Sequence, residues 1–161
     1  MKRSSTLFLR CVIIFIAVAV LSLCIFGIPW IVGAVLDYVS VFTYVRFGFV
    51  LAGVYLTAIF FFIALFHAFK LLTYIDKNVA FSEDSIRALR KIKTSAIGMS
   101  ILYLCGMPIV YFLAQKEDAP GLMVIGLAFA CAPFVVAVFT AVLQKLVRSA
   151  IDIKSENDFT V

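Results

Sequence analysis

The stretch Tyr74–Lys93 reads YIDKNVAFSEDSIRALRKIK. It is the longest polar interruption in a chain of 161 residues that is 65% hydrophobic and only 14% charged. Soluble domains run nearer half apolar and about a quarter charged. A soluble chain of this size has too little polar surface to cover so much apolar area. Lipid is therefore the solvent, and the stretch is a polar island between two membrane-embedded halves.

Two apolar runs lie on each side of the island: Leu7–Leu36 and Phe47–Leu72 before it, Thr94–Ala114 and Pro120–Leu143 after it. About 20 apolar residues in helical form cross the hydrocarbon core, and each run is long enough. The runs are continuous rather than alternating, which selects helices over barrel strands. The sequence thus predicts an all-α polytopic membrane protein, one domain over 1–161, with transmembrane helices over about 7–33, 47–73, 94–114 and 120–147. The first run has a basic start, but its apolar part exceeds the roughly 7–15 residues of a signal core, so it is read as a membrane helix.

The island opens with a helix start. Ser82 is an N-cap, and Glu83 and Asp84 oppose the positive end of the helix dipole. Phe81 and Ile86 are spaced as a hydrophobic staple. Ile86, Leu89 and Ile92 form one apolar stripe, Arg87, Arg90, Lys91 and Lys93 fill the rest, and Glu83 lies four residues before Arg87. The amphipathic segment 81–93 is expected at the membrane surface, feeding into the third helix, where its bases attract anionic headgroups.

Charge sets the expected orientation. The N-terminus carries Lys2, Arg3 and Arg10, the region Lys70–Lys93 carries six Lys/Arg, and the C-terminal segment carries Lys145, Arg148 and Lys154. Twelve of fourteen basic residues thus fall on one side of a four-pass arrangement. The positive-inside rule assigns that side to the cytoplasm, with both termini there (N-in, C-in). A bacterial plasma membrane is the expected location.

Other local features follow the same physics. Gly27-Ile28-Pro29-Trp30 is expected to end the first helix, and Leu36–Phe47 to be an interfacial connector. Gly48/Ala52 and Gly53/Thr57 offer small-residue packing on the second helix. Pro120 suits a first helical turn, and Pro133 is expected to kink the fourth helix. Gln144 is an intramembrane polar residue near the inner end of that helix. The sole histidine, His67, precedes Lys70 by one turn. It admits an interfacial structural role, or proton and ligand handling. The cysteines Cys11, Cys24, Cys105 and Cys131 read as packing residues, and no metal, cofactor or catalytic constellation is expected.

The halves echo each other weakly. Gly27-x-Pro29 is echoed by Gly106-x-Pro108, Phe69-Lys70-Leu71-Leu72 by Gln144-Lys145-Leu146-Val147, and Ser82-Glu83-Asp84 by Ser155-Glu156-Asn157. Two parallel helical-hairpin repeats would produce this pattern.

Two motifs carry a family resemblance. Ala80-Phe81-Ser82-Glu83-Asp84-Ser85-Ile86-Arg87-Ala88-Leu89-Arg90-Lys91-Ile92 resembles the cytoplasmic motif of a bacterial four-helix membrane family labelled domain of unknown function 2975. The tail Ser155-Glu156-Asn157-Asp158-Phe159-Thr160-Val161 resembles its closing motif. Ala80 stands where the family often has proline, and Phe159 where it often has leucine. The resemblance implies a membrane partner for a small cytoplasmic helix-turn-helix regulator, with no direct nucleic-acid contact by this chain.

The residues expected to carry interaction are Phe81, Ser82, Leu89, Arg90, Lys91, Glu156, Asn157 and Asp158, with His67 and Gln144 as intramembrane polar candidates. The leading reading is a non-enzymatic regulatory or interaction protein acting through its cytoplasmic face. The alternative is a small transporter or channel component, although no acidic residue lies mid-helix to couple transport. A third reading has island and tail pairing with each other, Glu156 and Asp158 meeting Arg90 or Lys91. The C-terminal valine fits either a free tail or a carboxylate-capturing partner.

Overall fold

The computed structural model describes residues 2–30, 41–116 and 118–159, with side chains described except at 2–5, 41–47 and 158. All regular structure among them is helical. Helix α1 covers Lys2–Ser22 and continues through a π-helical turn, Leu23–Gly27, to Trp30. Helices α2, α3 and α4 cover Val41–Asp76, Glu83–Lys116 and Gly121–Phe159. Four helices are long and apolar enough to cross a membrane: Thr6–Trp30, Gly48–Asp76, Glu83–Lys116 and Gly121–Asn157.

The helices pack in chain order, α1 against α2, α2 against α3, and α3 most extensively against α4. Neighbours run antiparallel. The start of α1, the end of α2, the start of α3 and the end of α4 therefore lie together, here called the terminal end. The opposite end holds the α3–α4 turn.

The interior is built of small side chains. Ser85, Ala88, Ser95, Ala96, Ser100 and Ala114 of α3, and Ala130, Ala137 and Thr140 of α4, are buried, whereas Phe, Leu and Val dominate the exposed surface. Lipid tails are as apolar as leucine, so burying large apolar groups gains little; close backbone approach and interhelical hydrogen bonds drive association instead. Ser100 Oγ donates to the Ala130 carbonyl at 2.8 Å across this seam. The seam has heptad spacing, Ala130, Ala137, Gln144 and Ile151 on α4 and Ile86, Lys93 and Ser100 on α3, which is the period of left-handed antiparallel packing.

Both turns have the same chemistry. Asn78 (φ 57°) and Asp118 (φ 49°) take the left-handed conformation just after α2 and α3. Val79 N–H bonds the Tyr74 carbonyl at 3.0 Å, and Ala119 N–H bonds the Ala114 carbonyl at 2.9 Å. These are Schellman closures, with short polar residues at the position that glycine usually fills. After the second, Met123 N–H bonds the Pro120 carbonyl at 3.1 Å, so Pro120 occupies the opening turn of α4.

Some expectations hold and others change. The amphipathic segment feeds into the third helix as expected, its residues from Glu83 forming the first turns of α3. Helix α4 does not stop at 147; it runs on to Phe159 and takes the tail with it. Of the connector Leu36–Phe47, residues from Val41 are helical and 36–40 lie outside the described residues. The first helix passes through its π turn and Pro29 to Trp30, the last described residue before 41. Gly48 and Gly53 have open space around them, so they do not bring helices together. Close approach occurs instead at Gly98, against Phe60 of α2, and at Gly126, against Met107 and Val110 of α3. A small residue matters only where its face meets a neighbouring helix.

Candidate functional site at the terminal end

The cap expected at Ser82 forms. Its Oγ accepts the Ser85 backbone N–H at 3.3 Å, and its carbonyl accepts from Ser85 and Ile86 at 3.1 and 3.2 Å. Ser85 has no exposed surface, and its hydroxyl donates back to the Val79 carbonyl at 3.5 Å. The turn 77–82 is thereby tied to the first turn of α3. Arg87 pairs with Asp84 at 3.6 Å rather than with Glu83, three residues back instead of four. Both partners are largely exposed, so the pair contributes little.

The apolar stripe is inside the bundle. Ile86 and Leu89 are buried, together with Leu72 of α2. Leu89 is only 3% exposed, so it cannot belong to a docking surface. Phe81 is 62% exposed. Arg90, Lys91, Glu156 and Asn157 are exposed, Ser82 is half-buried within its cap, and the side chain of Asp158 lies outside the described residues, as does Val161.

Polar contacts join the helices of each hairpin. In the first, Arg10 Nη2 of α1 meets Asp76 Oδ2 of α2 at 2.7 Å and donates to Thr73 Oγ1 at 3.3 Å. The guanidinium sits over the Phe69 ring at 5.3 Å. Phe69, Thr73 and Asp76 share one face because they are four and three residues apart. Arg10 Nε is buried and has no acceptor among the described residues. In the second hairpin, Lys93 Nζ of α3 donates to Gln144 Oε1 of α4 at 3.2 Å. Sequence reasoning used Arg10 only as a topological charge, because nothing in one sequence pairs residues so far apart.

The Lys93–Gln144 bond also sets a register. It places residue 90 opposite about residue 147, so Glu156 lies about 14 Å farther along the axis. The end of the island, residues 86–93, thus faces α4 over 144–151, and Glu156 falls opposite residue 81 rather than Arg90 or Lys91.

His67 stands apart from these contacts. Its Nδ1 lies 2.8 Å from the Ile63 carbonyl one turn back, and the ring meets Phe66 edge-on at 5.5 Å. The half-buried imidazole is thus held by its own helix. The four cysteines are free. Among the described residues, no His, Cys, Asp and Glu side chains gather in a group that could hold a metal ion.

At the other end of the first hairpin, the π turn has a definite origin. Ile28 N–H bonds the Leu23 carbonyl, five residues back. The next donor in that register is residue 29, a proline with no N–H. The Cys24 carbonyl it would serve instead accepts from Tyr55 Oη of α2, at a long 3.4 Å. A neighbouring helix satisfying a freed carbonyl is how membrane helices tolerate proline. An apolar groove of about 400 Å³ opens beside this contact, lined by Leu21, Pro29, Tyr55 and Phe62 among others.

Four long apolar helices, small-residue seams and charge confined to helix ends define an integral membrane protein of the helical class. Comparison with known proteins agrees. A family model described as protein of unknown function (DUF2975) matches residues 7–161, and the chain belongs to that family. A Bacillus subtilis (strain 168) protein named as the uncharacterized membrane protein YoaS is 50% identical over 161 residues, covering all of both chains. No solved structure matches the chain.

Proposed function

We propose that this protein is a non-enzymatic, membrane-embedded interaction protein of the bacterial plasma membrane, with both termini cytoplasmic and its terminal end as the docking face. One observation carries the reading: the α3–α4 hairpin is too long for the bilayer. From Lys93 to Gln115, α3 measures about 33 Å, which matches the hydrocarbon thickness. The turns from Glu83 to Ile92 then project about 15 Å beyond the hydrocarbon core, and α4 from Lys145 to Phe159 about 22 Å. Ser85, Ile86, Ala88 and Leu89 are packed inside this projection, while Phe81, Arg90, Lys91, Glu156 and Asn157 stay exposed. Lipid does not require such an extension; a cytoplasmic partner gives it a use.

The family resemblance supplies the partner class, a small helix-turn-helix regulator. Retention of such a regulator, encoded beside the gene, on membranes carrying the full-length chain tests the reading. Wild type retains it. Arg90→Glu with Lys91→Glu, or deletion of 155–161, releases it, while Arg148→Gln does not. Retention unchanged in all variants refutes the docking face. Ion or drug flux through liposomes containing the chain would favour the transporter alternative.

A further inference from the structure

The charges of the terminal end are sorted by depth. No Asp or Glu occurs between residues 38 and 75, 85 and 116, or 119 and 151. Within those acid-free segments, at their terminal-end limits, lie Lys70 on α2, Arg90, Lys91 and Lys93 on α3, and Lys145 and Arg148 on α4. The Lys93–Gln144 bond puts the α3 and α4 members at one level. The approach of Gly98 to Phe60 puts Lys70 about 7 Å farther out than Lys93, because ten residues separate Phe60 from Lys70 and five separate Gly98 from Lys93. Every acid of this end lies farther out: Asp76 by about 9 Å from Lys70, Asp84 by about 13 Å from Lys93, Asp152 by about 12 Å from Gln144. The outer layer is mixed in sign and holds the ion pairs Arg10–Asp76 and Arg87–Asp84. The inner layer is purely cationic, and among the described residues none of its members pairs with a carboxylate.

The inner layer also lies where lipid phosphates lie. Headgroups occupy roughly 5–8 Å beyond the hydrocarbon on each side, and Lys93 and Gln144 mark the hydrocarbon limit on their helices. Lys93 is the innermost member. It is half-buried in the α3–α4 seam, and its bonded partner is a neutral amide. An ammonium has three donors, and one amide oxygen takes up one of them while leaving the charge uncompensated. Partial burial of an uncompensated cation is costly and favours an anion.

We propose that Lys70, Arg90, Lys91, Lys93, Lys145 and Arg148 form a collar that binds the phosphodiester groups of anionic phospholipids in the leaflet facing the terminal end. The collar shares Arg90 and Lys91 with the proposed docking face, and the variants that test it, at Lys93, Lys145 and Arg148, leave both of them intact.

Native mass spectrometry of the full-length protein, titrated with equimolar phosphatidylglycerol and phosphatidylcholine of matched chains, tests the collar. Wild type retains phosphatidylglycerol preferentially. Each collar cation removed lowers the preference about fivefold, so the triple variant Lys93→Gln, Lys145→Gln, Arg148→Gln lowers it about 100-fold. A triple variant of equal charge loss in the outer layer, Lys77→Gln, Arg87→Gln, Lys154→Gln, keeps the preference within twofold. Lys145→Gln alone, at an exposed site, gives the single fivefold step without disturbing the seam. Parity in wild type overturns the proposal, as does equal loss in the two triple variants, which would make net charge the cause. Displacement of the lipid by millimolar inorganic phosphate overturns it in favour of a general anion site.

Discussion

Arg10 shows how much one side chain does at the edge of a bilayer. It ties α1, which packs chiefly against α2, to the last turn of that helix. The pair is partly exposed, 32% at Arg10 and 27% at Asp76, so solvent screens it. A double-mutant cycle of Arg10→Gln and Asp76→Asn, read by thermal unfolding in detergent, should give a coupling of about 1 kcal/mol or less. A coupling near zero would show that Phe69 and Thr73, not the carboxylate, hold Arg10 in place. Glycines provide a sharper contrast. A Cβ at Gly126 would meet Val110 Cγ1 at 3.2 Å and Met107 Sδ at 3.3 Å, whereas nothing lies within 4 Å of Gly53. Gly126→Leu should therefore destabilise by about 1–3 kcal/mol through overpacking, and Gly53→Leu should be tolerated. Equal melting of the two variants would refute the assignment of the close seam. Both glycines read alike in the sequence, because spacing identifies a small residue but not what faces it.

At the level of elements, the π turn of the first helix and the long last hairpin are what hydropathy did not foretell. Pro29 marks a helix end by ordinary rules, yet a π turn and a hydroxyl from α2 absorb the defect. Tyr55→Phe should cost about 0.5–1 kcal/mol in the parent chain. It should cost nothing measurable beside Pro29→Ala, where residue 29 regains its own donor and serves the Cys24 carbonyl. Equal cost in both backgrounds would show that the tyrosine acts by packing alone. The seam between α3 and α4 predicts likewise: Ser100→Ala should cost about 0.6 kcal/mol, the usual worth of an interhelical hydrogen bond in lipid. The cap at Ser82, the stripe at Ile86 and Leu89, and the run from island into helix were legible, since each is written within four residues. The heptad Ala130, Ala137, Gln144, Ile151 was equally visible and went unread, because hydropathy hides small seam residues among large lipid-facing ones. The length of α4 was not legible: after Lys145 the sequence turns polar, and the hydropathy that marks a membrane span ends there although the helix runs on to Phe159.

For the whole molecule, hydropathy alone delivers four helices, since no other secondary structure satisfies its backbone in lipid so simply. The candidate site was legible in part: the cap and charges around Ser82, Arg90 and Lys91 are written locally, whereas the burial of Leu89 and the pairs Arg10–Asp76 and Lys93–Gln144 depend on neighbouring helices. Orientation depends on a different quantity, the side on which Lys and Arg accumulate. Each terminal-end segment contributes at least three, and the region from Lys70 to Lys93 alone contributes six. The signal is therefore redundant. A fluorescent protein fused after Val161 should glow, and alkaline phosphatase fused there should be inactive. Phosphatase placed in the turn at Asp118 should be active. Neutralising Lys145, Arg148 and Lys154 together should leave all three readouts unchanged, because the remaining nine basic residues of that side still exceed those at Arg46 and Lys116. Active phosphatase after Val161 in the parent chain would reverse the orientation, and it would place the collar and the projecting hairpin on the far side of the membrane from any cytoplasmic partner.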